Sequence, residues 1–364
     1  MSSPLRIGIM GSRGIPNAYG GFEQFAEYLS RGLVQRGHEV WVYQSHQHPY
    51  EAAEWEGVHL VRVNDPEATL GTAGQFLYDL NSIRDARKRN FHILYHLGYT
   101  SDSVWAGLWP RKAVNVVNMD GLEWKRSKYS GPVQRFLKWA EKQAAVRADA
   151  LVADSTGIRD YLQQTYGKAS EFLPYGADVP ERQPASVLQP LGLEPNGYHL
   201  LIARMEPENH VEEIIRAHLA VPNAPKLVLV GSLKTPLGQR LHQFIGSEQL
   251  QFLGSLYDKP LLDALRQHAA LYLHGHSVGG TNPSLLEAMA AGALIAAHDN
   301  RFNRAILGEQ AAWFSDADSL AKLLQSDWVQ QHQHLREAGR QCIAEAYTWD
   351  SIIDQYEHYF QRLA

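Results

Sequence analysis

Two doubly wound α/β domains, Rossmann-like and facing a central cleft, are predicted by three observations. Short segments rich in Val, Ile and Leu alternate with amphipathic helical patterns, and the whole alternation occurs twice. A proline-rich stretch from Pro174 to Pro195 separates the two occurrences. At 364 residues the chain is too long for one ordinary core, and it suits two of ~150 to 180 residues each. Ligands of open parallel sheets bind beyond the carboxyl ends of the strands, so two facing domains enclose one cleft. The expected division is residues 1–178, residues 179–348 and a closing helix, 349–364, which sequence alone does not place.

In the first domain the expected strands are Leu5 to Met10, Val40 to Tyr43, Val58 to Val63, Ile93 to Leu97, Ala113 to Asn118 and Ala150 to Ala153. The helix from Phe22 to Arg36 carries Phe22, Phe25, Ala26, Leu29, Leu33 and Val34 on one stripe and stops at Gly37. In the second domain the strands are His199 to Ala203, Leu227 to Val230, Gln251 to Leu253, Leu271 to His274 and Leu294 to Ala297.

Composition narrows the function. With 45% hydrophobic and 20% charged residues the chain reads as a soluble globular protein, and its apolar runs are too short to span a membrane. The N-terminal segment enters a strand without a signal-like apolar region, so a cytoplasmic location is expected. The one cysteine, Cys342, offers neither an internal disulfide nor a metal cluster. A net charge of −5 argues against nucleic acid as a partner. Basic residues nevertheless gather between Trp124 and Lys142, interleaved with aromatic ones. They read as a solvated helix face or as a peripheral contact with the inner face of a membrane.

The segment HGHSVGGTNPSLLEAMAAG, His274 to Gly292, lays out a strand end, a glycine turn and a capped helix start. Asn282 sits at the N-cap and Pro283 at the first helical position, which leaves the N–H groups of Ser284 and Leu285 pointing out toward an anion. A helix terminus supplies only ~0.3 to 2 kcal/mol toward an anion, so a diphosphate needs side-chain cations as well. Glu287, one turn inside, suits a ribose diol. Arg204 emerges at the first strand end of the second domain and can span two phosphate oxygens, unless Glu206 or Glu208 takes it. Lys234, in the turn Gly231 to Gly238, is a weaker second cation. Asn209 reads as the N-cap of the helix starting near His210.

In the first domain, GSRGIPNAYGGFE places four glycines between Gly11 and Glu23, as in a mobile loop that lets backbone approach a ligand. The spacing Gly8, Gly11, Gly14 imitates a dinucleotide fingerprint poorly, and the second strand ends Tyr43, Gln44, Ser45 without an acid for an adenosine ribose. A nicotinamide enzyme is therefore disfavoured. Asp120 ends a strand and precedes a glycine, where it reads either as a carboxylate looking into the cleft or as a turn or N-cap aspartate, and Glu123 is a weaker candidate. His274 and His276, two apart at a strand end, are expected to face opposite ways, so no metal pair is expected.

Together these segments resemble the retaining, nucleotide-sugar-dependent glycosyltransferases of family 4, which have the GT-B architecture. The likeness rests on Gly20-Gly21, RGHEV (Arg36 to Val40), LPYGAD (Leu173 to Asp178), Arg204, LLEAMAAG and the closing Tyr347 to Trp349. More narrowly, GSRGIPNAYGGFE, DGLEWKR, ARMEPEN and GGTNPSLLEAM look like a bacterial rhamnosyltransferase subgroup that builds cell-surface polysaccharide. Two positions depart from the family pattern: Gly279 stands where the first of two glutamates is usual, and Asn209 stands where a lysine follows the arginine.

The resemblance implies a retaining transfer of L-rhamnose from dTDP-rhamnose to a saccharide or lipid-linked saccharide, with no metal and no cofactor. Arg204 and Asp120 would be catalytic. Gly20, Gly21, Gly280, Thr281, Asn282, Ser284, Glu287 and Lys234 would bind the donor, and Arg13, Glu23 and Glu123 would lie on the acceptor side. The alternatives are a transferase using a UDP- or GDP-sugar, a nucleotide-sugar epimerase, and a noncatalytic sugar-nucleotide binder.

Overall fold

In the computed structural model, which describes residues 3–18, 20–126 and 129–364, the chain divides into two units. The first comprises Met1–Lys125, Tyr129–Tyr175 and Trp349–Ala364, and the second Arg126–Lys128 and Gly176–Thr348.

The first unit is built on β1 (Arg6–Met10), β2 (Glu39–Ser45), β3 (Glu54–Trp55), β4 (Val58–Val63), β5 (Ile93–Leu97), β6 (Val114–Asn118), β7 (Ala150–Ala153) and β8 (Glu171–Phe172). Their order is β3-β4-β2-β1-β5-β6-β7-β8, parallel throughout except for β3 against β4. The second unit holds β9 (Tyr198–Ile202), β10 (Lys226–Val230), β11 (Leu250–Gly254), β12 (Leu271–His274), β13 (Ile295–His298) and β14 (Ala312–Phe314). Here the order is β11-β10-β9-β12-β13-β14, all parallel. The chain winds outward both ways in each sheet, so strand order reverses between β1 and β5 and again between β9 and β12. At such reversals neighbouring connections leave on opposite faces and open a crevice at the carboxyl ends.

The long strands lie where Val, Ile and Leu cluster, because a sheet covered on both faces buries most of its side chains. Ile7, Ile9, Ile93 and Leu94 are fully buried in the first sheet, as are Leu200, Leu201, Leu227 and Leu229 in the second. Three strands were not expected, β3, β8 and β14, and each is only two or three residues long, too short to show an apolar run.

The Trp349–Leu363 helix groups with the first unit, and its packing explains the Arg36 to Val40 segment. Trp349 stacks on Tyr28 with ring centroids 4.4 Å apart, and Tyr356 meets the Tyr95 hydroxyl at 3.0 Å. At the end of the Gly21–Gln35 helix, Arg36 reaches Asp354 at 2.5 Å and Asp350 at 3.3 Å, while His38 Nε2 meets Glu357 at 3.1 Å. Among the described residues no helix is long and apolar enough to cross a membrane.

A buried histidine pair ties the stability of the second unit to pH. On β9, burial and the neighbouring His218 hold His199 down to about 3, and burial holds His218 down to about 4. Below the unfolded value of 6.5 the unfolded chain takes up protons that these folded rings refuse, so stability falls as pH drops through that range. Thermal unfolding followed from about pH 7 to about pH 5 is therefore expected to show a falling midpoint, with a smaller fall in His218→Leu. A midpoint that stays flat over this range would contradict the buried neutral pair.

Candidate functional site

In the second unit the carboxyl ends of β9, β10 and β12 lead into three loops that carry most of the expected donor residues. Two glycines let these loops touch. A Cβ at Gly231 would lie 2.1 Å from the Ala203 carbonyl, and one at Gly275 would lie 2.1 Å from that of Asn209, so no other residue fits either place. Ser277 completes the contact by donating its N–H and hydroxyl to the Glu208 carbonyl at 3.0 and 2.9 Å.

Arg204 follows β9 and is exposed, and among the described residues its guanidinium has no ion-pair partner. The expected competitor Glu208 is taken elsewhere: buried, it pairs with Arg126 at 3.1 Å. Arg126, which sequence reasoning missed, belongs to the short segment that groups with the second unit. Lys234, past β10, is likewise exposed and forms no ion pair among the described residues.

Asn209 is not the helix cap. A short turn, Pro207–Asn209, intervenes, and His210 enters the Val211–Leu219 helix at a φ of 50°. The buried Asn209 amide instead donates to the Arg204 carbonyl at 2.8 Å, so it fixes the backbone from which the arginine projects.

Asn282 does cap the Pro283–Ala290 helix, and this corrects the expected anion contact. Its side-chain oxygen accepts the Ser284 N–H at 2.9 Å and its carbonyl accepts that of Leu285 at 3.0 Å, so neither points out unpaired. An N-cap satisfies the same donors that an anion would use. The Ser284 hydroxyl is also engaged, 2.6 Å from that of Tyr272. The N–H groups with no protein acceptor among the described residues include those just upstream, at Gly279 and Gly280, and that of Asn282 itself, while Thr281 is buried. One turn inside, Glu287 pairs with the buried Arg266, whose guanidinium also lies 3.6 Å from Asp263. Arg266 carried no signal in the sequence beyond a place on an amphipathic helix.

His274 and His276 do not face opposite ways: their rings stack at 4.4 Å and 16°. Side chains alternate along a strand, so residues two apart share a face. Burial holds His274 well below its ordinary value. Burial first, then the charges of Arg204 and Arg126, push His276 down to about 3, leaving a neutral ring beside two guanidinium groups. Among the described residues no group of three or more His, Cys, Asp or Glu could hold a metal ion.

In the first unit the loop after β1 is tied down at several points, not free as the glycines suggested. The Arg13 N–H donates to Glu23 at 2.9 Å, its carbonyl accepts the Ser45 N–H at 3.0 Å, and Tyr78 donates to the Ser12 carbonyl at 2.8 Å. The Arg13 guanidinium is gripped by Glu67 at 2.7 Å. Arg13 and the buried Glu23 thus have structural duties. Gly20 occupies the N-cap of the Gly21–Gln35 helix without a capping side chain, and the space beside Gly21 is open.

Asp120, past β6, adopts a φ of 34°, unusual for a residue with a side chain. Its N–H donates to Asn118 at 3.0 Å, and the following segment is anchored where Trp124 donates to the buried Glu141 at 2.9 Å. Holding such a conformation costs roughly 1 to 3 kcal/mol. Glu123 lies in the next turn, its N–H shared between Gly121 at 2.9 Å and the Tyr99 hydroxyl at 3.3 Å.

Residues 190–342 match the family described as Glycosyl transferases group 1, and residues 5–178 match a domain of unknown function (DUF1972). Among solved structures the chain is similar to sucrose-phosphate synthase from Thermosynechococcus elongatus, at 17% identity over 99% of each chain with a TM-score of 0.83. It is also similar to Anabaena HepE in complex with UDP-glucose, at 17% identity over 98% of this chain and 100% of that one, with a TM-score of 0.78. A glycosyltransferase from Rickettsia africae follows at 11% identity, 99% and 98% coverage and a TM-score of 0.70. No curated protein matches the sequence significantly. The structural likenesses show the GT-B fold, and the group 1 glycosyltransferase domain over residues 190–342 identifies a glycosyltransferase.

Proposed function

We propose that the second unit binds a nucleotide diphosphate sugar and that the chain transfers the sugar, with retention of configuration, to a saccharide or lipid-linked saccharide accepted by the first unit. The observation that carries this reading is Arg204, an exposed guanidinium with no ion-pair partner among the described residues, at the carboxyl edge of β9. HepE, solved with UDP-glucose, supports a nucleotide sugar as the donor. The resemblance to rhamnosyltransferases of cell-surface polysaccharide synthesis favours dTDP-L-rhamnose. A 6-deoxy sugar suits the glycine at position 279, where a carboxylate would otherwise meet a sugar hydroxyl. A cytoplasmic chain at the inner membrane face fits a lipid-linked acceptor.

In the proposed reaction the bond from the anomeric carbon to the phosphate oxygen breaks and one to the acceptor oxygen forms on the same face. The acceptor proton passes to the departing phosphate oxygen. Negative charge grows on that oxygen, so Arg204, Lys234 and the Gly279 and Gly280 N–H groups hold the transition state more tightly than the ground state. These protein groups supply the neutralisation, and neither a metal nor a cofactor is assigned a role. Gly20 and Gly21, at a helix start without a side-chain cap, are assigned to donor binding by the family resemblance alone. Asp120 would orient a sugar or acceptor hydroxyl, with Arg13, Glu23 and Glu123 shaping the acceptor side. Glu287, steadied by Arg266, would accept the ribose hydroxyls.

Arg204→Ala is expected to lower kcat by about 10² to 10³ with a small change in donor KM, measured by transfer assay. Glu287→Gln, which avoids leaving Arg266 beside a cavity, is expected to raise donor KM by about tenfold with kcat little changed. Normal kinetics in both variants would remove the assignment of the donor site. In a thermal-shift panel, dTDP is expected to stabilise the chain more than UDP, GDP or NAD, and dTDP-rhamnose to give a new glycoside. Stabilisation by NAD alone would sink the transferase reading, whereas a changed free donor without a glycoside would identify an epimerase.

A further inference from the structure

We infer that the first unit docks on an anionic lipid surface through the outer face of the Gly131–Arg147 helix and its neighbours. The proposal deepens the reading of a lipid-linked acceptor and rests on that reading only for its biological sense. Of the ten large apolar side chains exposed among the described residues, seven belong to the first unit. Leu70 and Leu77 belong to the Glu67–Leu70 and Thr72–Ala86 helices, Leu108 to the Ser103–Leu108 turn, and Val133, Phe136, Trp139 and Val146 to the Gly131–Arg147 helix. The three regions adjoin: the turn packs against both longer helices, and Phe76 meets Phe136 with centroids 5.8 Å apart. Single exposed apolar residues are ordinary, but a contiguous cluster marks a contact surface.

The charge around this cluster selects the occupant. Along the Gly131–Arg147 helix, Arg135, Trp139, Lys142 and Val146 follow one another at spacings of four, three and four, which puts them on one face. All four are exposed. The helix has a single acid, Glu141, and it is buried and turned inward, bonded to Trp124, Tyr161 and Lys138. The outward charges are therefore all basic, alternating with apolar side chains, as in helices that lie in a headgroup layer. A second copy across a two-fold axis would set like charges against each other, which disfavours self-association. The surface differs from the basic stretch expected from the sequence, because Trp124 and Lys138 face inward and Leu70, Leu77 and Leu108 join from elsewhere in the chain.

The test is co-sedimentation of the full chain with vesicles, in the absence of donor and acceptor. Phosphatidylcholine vesicles containing about 30% phosphatidylglycerol are expected to bind it, and phosphatidylcholine alone to bind it at least about tenfold more weakly. Raising salt from ~0.1 to ~0.5 M is expected to weaken the anionic binding by a similar factor. Phe136→Ser with Trp139→Ser is expected to lower binding by about tenfold, as is Arg135→Glu with Lys142→Glu, with unchanged far-ultraviolet circular dichroism. Tyr257→Ser, at an exposed apolar residue of the second unit, serves as control and should bind normally. No binding to anionic vesicles, or undiminished binding by both double variants, would overturn the proposal. So would a dimer, detected by light scattering, that the Phe136 and Trp139 substitutions dissociate, because the face would then belong to a second copy. Arg204→Ala should bind vesicles normally, so failure of the donor-site assignment leaves this result readable.

Discussion

Charge pairing at the edge of the second sheet leaves the Arg204 guanidinium without a carboxylate among the described residues, and the proposed donor site depends on it. Glu208 is held by Arg126 and Glu287 by Arg266, while Arg204 stays exposed without an ion pair among the described residues. A carboxylate beside Arg204 would cancel the field that a diphosphate needs, and placing the acids against other arginines avoids this. His276, pushed down to about 3 by burial and by the two arginines, adds no competing positive charge that would have to be solvated in a buried place.

The helix start contributes less than its sequence suggests. Asparagine at an N-cap signals a helix, but it also consumes the donors that would make the helix end an anion site. At Asn282 the Ser284 and Leu285 N–H groups are spent in this way. The glycines upstream carry no side chain and keep their N–H groups unpaired among the described residues, so the backbone that can meet a phosphate lies in the loop. Asn209 shows the same economy of function. Lacking a charge, it cannot neutralise phosphate, yet by holding the Arg204 carbonyl it fixes the base of the residue that can.

The architecture was legible because a parallel sheet covered on both faces writes its strands as apolar runs. The expected strand at Val58 to Val63 coincides with β4, and that at Ile93 to Leu97 with β5. The edge strand β14 was not legible, since three residues carry no period. At the site, Asn282 and Pro283 were readable because capping is local chemistry between residues two or three apart. Arg126 and Arg266 were not, because their partners lie 82 and 21 residues away and only the fold brings them together. The expectation for His274 and His276 failed for a different reason: a period of two sends neighbours apart and alternate residues together, so the stacked pair followed from the geometry once it was applied correctly.

The basic helix of the first unit carries this lesson about partners to the surface. In sequence, Lys138 and Lys142 look alike, and Trp124 and Trp139 look alike. The buried carboxylate of Glu141 separates them: an acid taken out of water requires cationic and hydrogen-bonding partners, and it draws Lys138 and Trp124 inward along with the hydroxyl of Tyr161. What remains outside is the set that Glu141 does not need, Arg135, Trp139, Lys142 and Val146, with no acid of the same helix to balance it. Water tolerates the charges, but the exposed indole at 44% relative exposure and the rings and aliphatic groups around it gain only if something apolar covers them. A headgroup layer over acyl chains, the occupant proposed for this face, offers both kinds of contact at once.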